Sequence, residues 1–217
     1  MPLEPLIPEH GGYRRLKTFQ IARLCYDVTV RFCDRYVDRR SRTHDQMVQA
    51  ARSGVQNIAE GSKASGTSKK TELKLTNVAR ASLEELRLDY EDFLRHRGFE
   101  PWPAAHPALK RFRTRRCATL DELRAWVDDE LQRARTGTDF HGQHGQADPP
   151  ASVRAVRESP CPSVTSAQLV ANAALSLLNL ACHLLDRQLE AQAQAFLHEG
   201  GFTERLHRLR SAWRRRG

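Results

Sequence analysis

Between Thr18 and Arg39 the chain has a helical rhythm: Ile21, Cys25, Thr29, Phe32 and Tyr36 form one stripe, and Phe19, Tyr26, Val30 and Val37 a second beside it. An apolar surface that wide predicts a first helix buried on more than one side. A second helix starts near Thr43. Met47, Ala51, Val55 and Ile58 recur at i, i+4, i+8 and i+11, with Ala50 and Gly54 flanking the stripe so that a neighbour can come close. Gly61 follows the last periodic residue and is expected to end the helix at positive φ. A small polar loop, Ser62 to Ser68, then leads into a third helix from Lys69 to Arg97. Its inward face is Leu75, Ala79, Ser82, Leu83, Leu86, Tyr90, Phe93 and Leu94, and Gly98 stops it. Leu73, Ala81 and Leu88 lie on a different face of this helix. Together with the second stripe of helix one they are expected to form a subunit contact.

Beyond Gly98 the pattern becomes irregular. Pro101-Trp102-Pro103 enforce a turn, and Pro107 suits the first position of a short basic helix anchored by Leu109 and Phe112. Thr119 and Glu122 have capping-box spacing before a helix whose inward set is Leu120, Leu123, Val127 and Leu131. From Thr136 to Pro162 the composition turns to glycine, proline, serine, glutamine and histidine with almost no apolar period, the pattern of a linker. Thr165 and Gln168 repeat the capping spacing. Residues 166–199 are the most apolar of the chain, with Leu177, Leu178, Ala181, Leu184, Leu185 and Leu189 on a face too broad to stay in water. Gly200-Gly201 ends that segment. A last amphipathic helix sets Leu206, Leu209 and Trp213 against Arg205, Arg208, Arg210 and Arg214 to Arg216.

These elements predict an all-α fold: an up-down four-helix bundle with a helical insertion and a C-terminal suffix helix. Residues 13–98 carry the first three bundle helices, 99–135 the insertion, 136–162 a flexible linker, and 163–217 the fourth bundle helix plus the basic suffix helix.

Charge adds a partner to this picture. The net charge of +9 and pI near 9.7 point to a polyanion, nucleic acid or an acidic surface. The first twelve residues contain acids and prolines rather than a charged-then-apolar leader, so no signal peptide is expected, and with no run of about eighteen apolar residues read in the chain no membrane span is expected. Cys25, Cys33, Cys117, Cys161 and Cys182 are dispersed without paired spacing, which fits a reducing cytoplasm and thiols used as small apolar side chains.

Catalytic chemistry is not expected. His141 and His144 lie near Cys161 in the linker but lack the second ligand pair of a zinc site, so no metal or other cofactor is expected. Glu84, Glu85 and Glu91 have no histidine three residues on, as a di-iron bundle requires. Cys182 and His183 are adjacent and so point about 100° apart on a helix, a poor arrangement for a thiol and its base. Nucleotide-binding loops and nucleophile elbows are missing from the sequence as well.

One stretch carries a family likeness. Arg52, the string Asn57-Ile58-Ala59-Glu60-Gly61, the polar loop, and Ala81-Ser82-Leu83-Glu84-Glu85-Leu86 resemble the small four-helix bundle family first found as reading frames inside intervening sequences of bacterial large-subunit rRNA genes. The accessory protein of diversity-generating retroelements is similar to that family. The likeness covers roughly Tyr13 to Gly98, while Leu184-Leu185-Asp186-Arg187-Gln188 through Gly200-Gly201-Phe202 resembles the suffix segment of one branch. It implies a bundle fold, a pentameric barrel, and RNA or a reverse transcriptase as partner. The insertion and the suffix depart from the minimal bundle.

In an up-down bundle the start of helix one lies at the same end as the loop between helices two and three. Arg14, Arg15, Lys17, Lys63, Lys69 and Lys70 are therefore expected to converge there, suited to phosphates, with Arg208, Arg214 and Arg215 of the suffix helix adding to the surface. The leading expectation is a non-enzymatic, oligomeric bundle that binds structured RNA, or RNA/DNA, through this basic surface as accessory to a reverse transcriptase or ribonucleoprotein. RNA is preferred to DNA. The alternative is a protein–protein adaptor that docks through the suffix helix, with the basic surface serving solubility.

Overall fold

A computed structural model describes residues 5–136 and 164–215. Every regular element among them is helical. A 3₁₀ turn, Tyr13–Arg15, precedes α1 (Lys17–Tyr36), α2 (Arg42–Ala64), α3 (Lys69–Arg95), α4 (Pro107–Arg115), α5 (Leu120–Thr136), α6 (Ser166–Glu199) and α7 (Phe202–Arg214). The linker residues that include His141, His144 and Cys161 lie outside the described residues.

Helix starts follow local chemistry. The Ser41 hydroxyl accepts from Thr43 N at 3.2 Å to open α2, Ser68 accepts from Thr71 N at 3.2 Å to open α3, and Thr165 accepts from Gln168 N at 3.2 Å to open α6. At α5 the full capping box forms: Glu122 N donates to Thr119 Oγ1, and Thr119 N donates to the Glu122 carboxylate, both at 3.3 Å. Pro107 is the first residue of α4, as its missing N–H favours.

Contacts between helices fix their directions. Cys33 meets Met47 at 3.8 Å between α1 and α2, and Ser53 meets Ser82 at 2.9 Å between α2 and α3. From α3 to α6, Glu72 accepts from Gln192 at 3.1 Å, and Arg80 pairs with Asp186. From α1 to α6, Thr18 donates to Gln188 at 2.8 Å, and Tyr36 meets Ser166 at 2.8 Å. In the last two pairs a residue near one helix's start meets one nearer the other's end, so the partners run antiparallel. Thus α1 packs on α2 and α6, α3 on the other side of α2 and α6, and one core lies among them. Phe32, Met47, Ile58, Leu83, Leu86, Tyr90, Leu178 and Leu185 are all fully buried in it. Two of its hydroxyls are paired in series: the Tyr90 hydroxyl donates to Thr29 Oγ1 at 3.1 Å, and that hydroxyl donates to the Cys25 carbonyl at 2.7 Å.

The α4–α5 segment joins the same core through Ala108, Phe112, Leu123, Trp126 and Val127. A fork from Arg111 to the buried Glu130, at 2.7 and 2.5 Å, ties α4 to α5. Asn172 of α6 accepts from Trp102 N at 2.7 Å, which holds the Pro-Trp-Pro turn against α6.

Gly61 is a correction. It is not a stop: α2 continues through it to Ala64, and positive φ occurs at Gly11, Gly98 and Gly200 instead. Its role is closeness, because a Cβ there would stand 3.3 Å from the Glu72 carbonyl oxygen and 3.4 Å from Leu75 Cβ of α3. Gly200, at φ +74°, does end α6.

At the far end of α3, burial raises the Asp89 carboxyl to about 6, and the charges of Glu85 and Asp92 add to the rise. A folded-state pKa above the ordinary value near 3.8 means that the folded chain holds this proton more tightly than the unfolded one. The stability contributed by protonation is therefore present below about pH 4 and lost as pH rises through about 6. Asp89→Asn should stabilise the protein at pH 7 by about 1 kcal/mol, a figure reduced for solvent screening of a part-exposed group, and change little at pH 4. Thermal melts at the two pH values check this; an equal gain at both would point to a cause other than the charge.

Candidate nucleic-acid interface

The residues around the α2–α3 loop are brought together by the N-terminal segment. Gly11 N donates to the Ser62 carbonyl at 3.0 Å, which lays the chain start over the C-terminal turn of α2. Tyr13 then packs edge-on against Phe19 with ring centroids 4.8 Å apart. The Lys63 ammonium sits 5.6 Å from the Tyr13 centroid and the Arg14 guanidinium 5.8 Å, so one ring gathers two of the expected cations. Lys17 and Lys69 line a common cleft of about 560 Å³ with Ser62, Arg187 and Gln188. Lys69 also lines a second cleft, about 210 Å³, with Ser65 to Ser68, Gly200, Gly201, Arg205 and Arg208.

Arg14, Lys17, Lys63, Lys69 and Arg208 thus meet at one end of the fold. Arg15 and Lys70 are exposed and sit beside them in the chain. Arg214 and Arg215 stand apart, exposed at the distal end of α7. Lys69 is the least free of the set, since it is part-buried and its ammonium lies 3.6 Å from Glu72. Burial raises the Glu72 carboxyl above the ordinary carboxylate value, and Lys69 and Gln192 pull it back down.

Arg187 and Arg205 were not among the residues expected here. Arg187 lies in the helix with the broadest apolar face, and only the antiparallel pairing of α1 with α6 brings it beside Lys17. Its signal in the sequence was present but weak: the Asp186-Arg187-Gln188 interruption of the leucine run. Arg205 enters through the turn at Gly200-Gly201, which sets α7 against the α2–α3 loop.

The expected subunit face divides. Leu88 is 56% exposed and Ala81 is exposed, whereas Leu73 is part-buried. Phe19, from the second stripe of α1, belongs to the core. Trp213 also departs from expectation. It was read as an anchor of the suffix helix with Leu206 and Leu209, yet it is 70% exposed while those two are part-buried, and α7 contains no buried residue.

Elsewhere, burial raises the thiols of Cys33 and Cys182 to about 12 and that of Cys25 higher still. All three therefore stay protonated near neutral pH and pack as small apolar groups. Within Ser166–Arg214 one window reaches a mean hydropathy of 1.4, enough by length and composition to cross a membrane, but 61% of it is buried against the rest of the fold. Burial of that extent is what a core helix shows as well.

No family model matches the sequence, and no curated protein or solved structure is significantly similar to the chain.

Proposed function

We propose that this chain is a non-enzymatic, oligomeric protein that binds nucleic acid, RNA before DNA, through the basic end at the α2–α3 loop. In this reading α1, α2, α3 and α6 form an up-down four-helix bundle, α4–α5 is an insertion, and α7 is a basic suffix. The observation that carries it is the convergence of Arg14, Lys17, Lys63, Lys69 and Arg208 from three separate stretches of chain onto one end. Like charges repel, so a fold that gathers more cations than acids at one end is stabilised by an anion that bridges them. Glu72 and Glu199 offset this only in part. Phosphates along one strand offer that anion repeatedly, and counterion release adds to the affinity. The family likeness of the α2–α3 hairpin supports an oligomer, a pentamer in the related accessory protein, and a reverse transcriptase as a protein partner.

An electrophoretic shift on structured RNA across a salt series tests the reading. Reversing Lys63 and Lys69 to glutamate should weaken binding and lower the log–log salt slope by roughly 0.7–0.9 for each phosphate left without its cation. Ending the chain after Gly201 should keep the fold and flatten the slope further. A protein that ignores RNA and DNA even at low salt would leave the adaptor reading in its place. Subunit number is checked by light scattering: Leu73→Glu with Leu88→Glu should move the mass toward monomer. A wild type that is monomeric at micromolar concentration removes the oligomer from the proposal.

A further inference from the structure

We infer that Trp213 is a stacking platform for an unpaired base of the bound nucleic acid, so that the protein prefers single-stranded or looped RNA to a continuous duplex. This rests on the nucleic-acid reading above and names the form of ligand that the basic end takes. Phe202, Leu206, Leu209 and Trp213 recur at i, i+4, i+7 and i+11 and so share one stripe of α7. The stripe is not uniform. Phe202, Leu206 and Leu209 are part-buried, whereas Trp213 is 70% exposed. Exposed Arg210 lies one turn before it, and exposed Arg214 and the C-cap residue Arg215 follow it in the chain. A large flat ring in water on a helix that also carries exposed arginines supplies both parts of base stacking beside a phosphate chain.

The same helix has the composition of one that lies on an anionic lipid surface. Such a helix immerses its entire apolar face. Here Phe202 lines the cleft beside the α2–α3 loop and Leu206 and Leu209 are part-buried, which leaves one exposed ring rather than a face. Placement favours nucleic acid as well. Phe202, Arg205 and Arg208 share a cleft with Lys69, so α7 starts at the basic end and delivers Trp213 roughly 17 Å along its axis from Phe202. A strand held by the lysines can follow α7 to that ring.

Intrinsic fluorescence is a suitable probe. Trp126 is 2% exposed, and Trp102 is part-buried and stacked on His106 with ring centroids 4.0 Å apart, so Trp213, at 70%, is the most exposed of the three tryptophans. The full-length protein is titrated with three probes: a single-stranded RNA of roughly 20 nucleotides, longer than one site, a blunt RNA duplex of equal length, and phosphatidylserine vesicles. The single strand should quench the emission. Trp213→Ala should weaken single-strand binding roughly five- to hundredfold, the worth of one stacked base. Duplex binding should not change, and Trp213→Phe should retain most of the affinity. Equal loss on both RNAs, no loss on either, or an emission change with vesicles alone each overturns the inference. If lysine reversal weakens binding while Trp213→Ala does not, the inference fails and the nucleic-acid reading stands. If the wild type binds no nucleic acid, both fall.

Discussion

A chain ending at Arg135 should not fold cooperatively: it should aggregate, or give a loosely packed product that binds hydrophobic dyes. The reason is the position of α6. Leu169, Ala173, Leu177, Leu178, Ala181 and Leu185 are buried, and the surfaces that cover them belong to α1, α3, α4 and α5. Removing α6 bares the core faces of α1 and α3 together, at roughly 25 cal/mol for each Å² of apolar surface returned to water. It also strands polar groups, since Tyr36, Glu72 and Trp102 N lose their partners Ser166, Gln192 and Asn172. With net stability of only about 5–15 kcal/mol for a typical domain, such a loss exceeds what the remainder can supply. Deleting residues 138–160 should instead shift the melting temperature little, because Arg135 and Ser166 line the same cleft and so the segment's two ends lie near each other. Circular dichroism melts and dye binding distinguish the two truncations. A soluble, cooperatively melting fragment that ends at Arg135 would show that α6 is no part of the core.

Gly54→Val should cost about 2–3 kcal/mol, at the upper end of what an overpacked core exacts. Gly54 sits where α2 crosses α3. A Cβ there would lie 2.5 Å from Leu83 Cδ2 and 2.8 Å from Leu83 Cγ, inside any tolerated contact. Leu83 has no free volume to retreat into, since it is fully buried in the common core. The gain in helix propensity on replacing glycine offsets only about 0.5 kcal/mol of this. Leu83→Ala alone should cost about 2–5 kcal/mol through the cavity it leaves. In the double variant the valine fills part of that cavity, so the two costs should fall short of additivity by more than about 1 kcal/mol. Chemical denaturation of the four proteins measures the coupling. Strict additivity would mean that the two side chains do not compete for the same space.

The likeness noted in the sequence and the geometry of the fold support the functional reading from different sides. The hairpin string indicates what kind of protein this resembles, while the convergence of cations stands on its own. That convergence was readable in advance only in part. Arg14, Lys17, Lys63 and Lys69 could be assigned to one end because antiparallel neighbours with short loops leave no other arrangement. Arg187 and Arg205 could not, because their positions depend on how α6 and α7 lie against the rest, and nothing local records that.

Helix periodicity, capping residues and glycine or proline stops act within a turn or two, so the sequence by itself determined where the helices lie and which face of each is apolar. Thr165 and the Thr119–Glu122 pair marked starts that the fold retains, and Gly200 marked an end. Long-range packing decided the rest. Gly61 looked like a stop because glycine permits positive φ, but only the approach of α3 to α2 reveals that glycine is there for lack of a side chain. Trp213 looked like an anchor because its spacing matches Leu206 and Leu209, yet burial requires an opposing surface, and α7 runs beyond the one it has. Periodicity specifies a face; what meets that face is set by other helices far away in the chain.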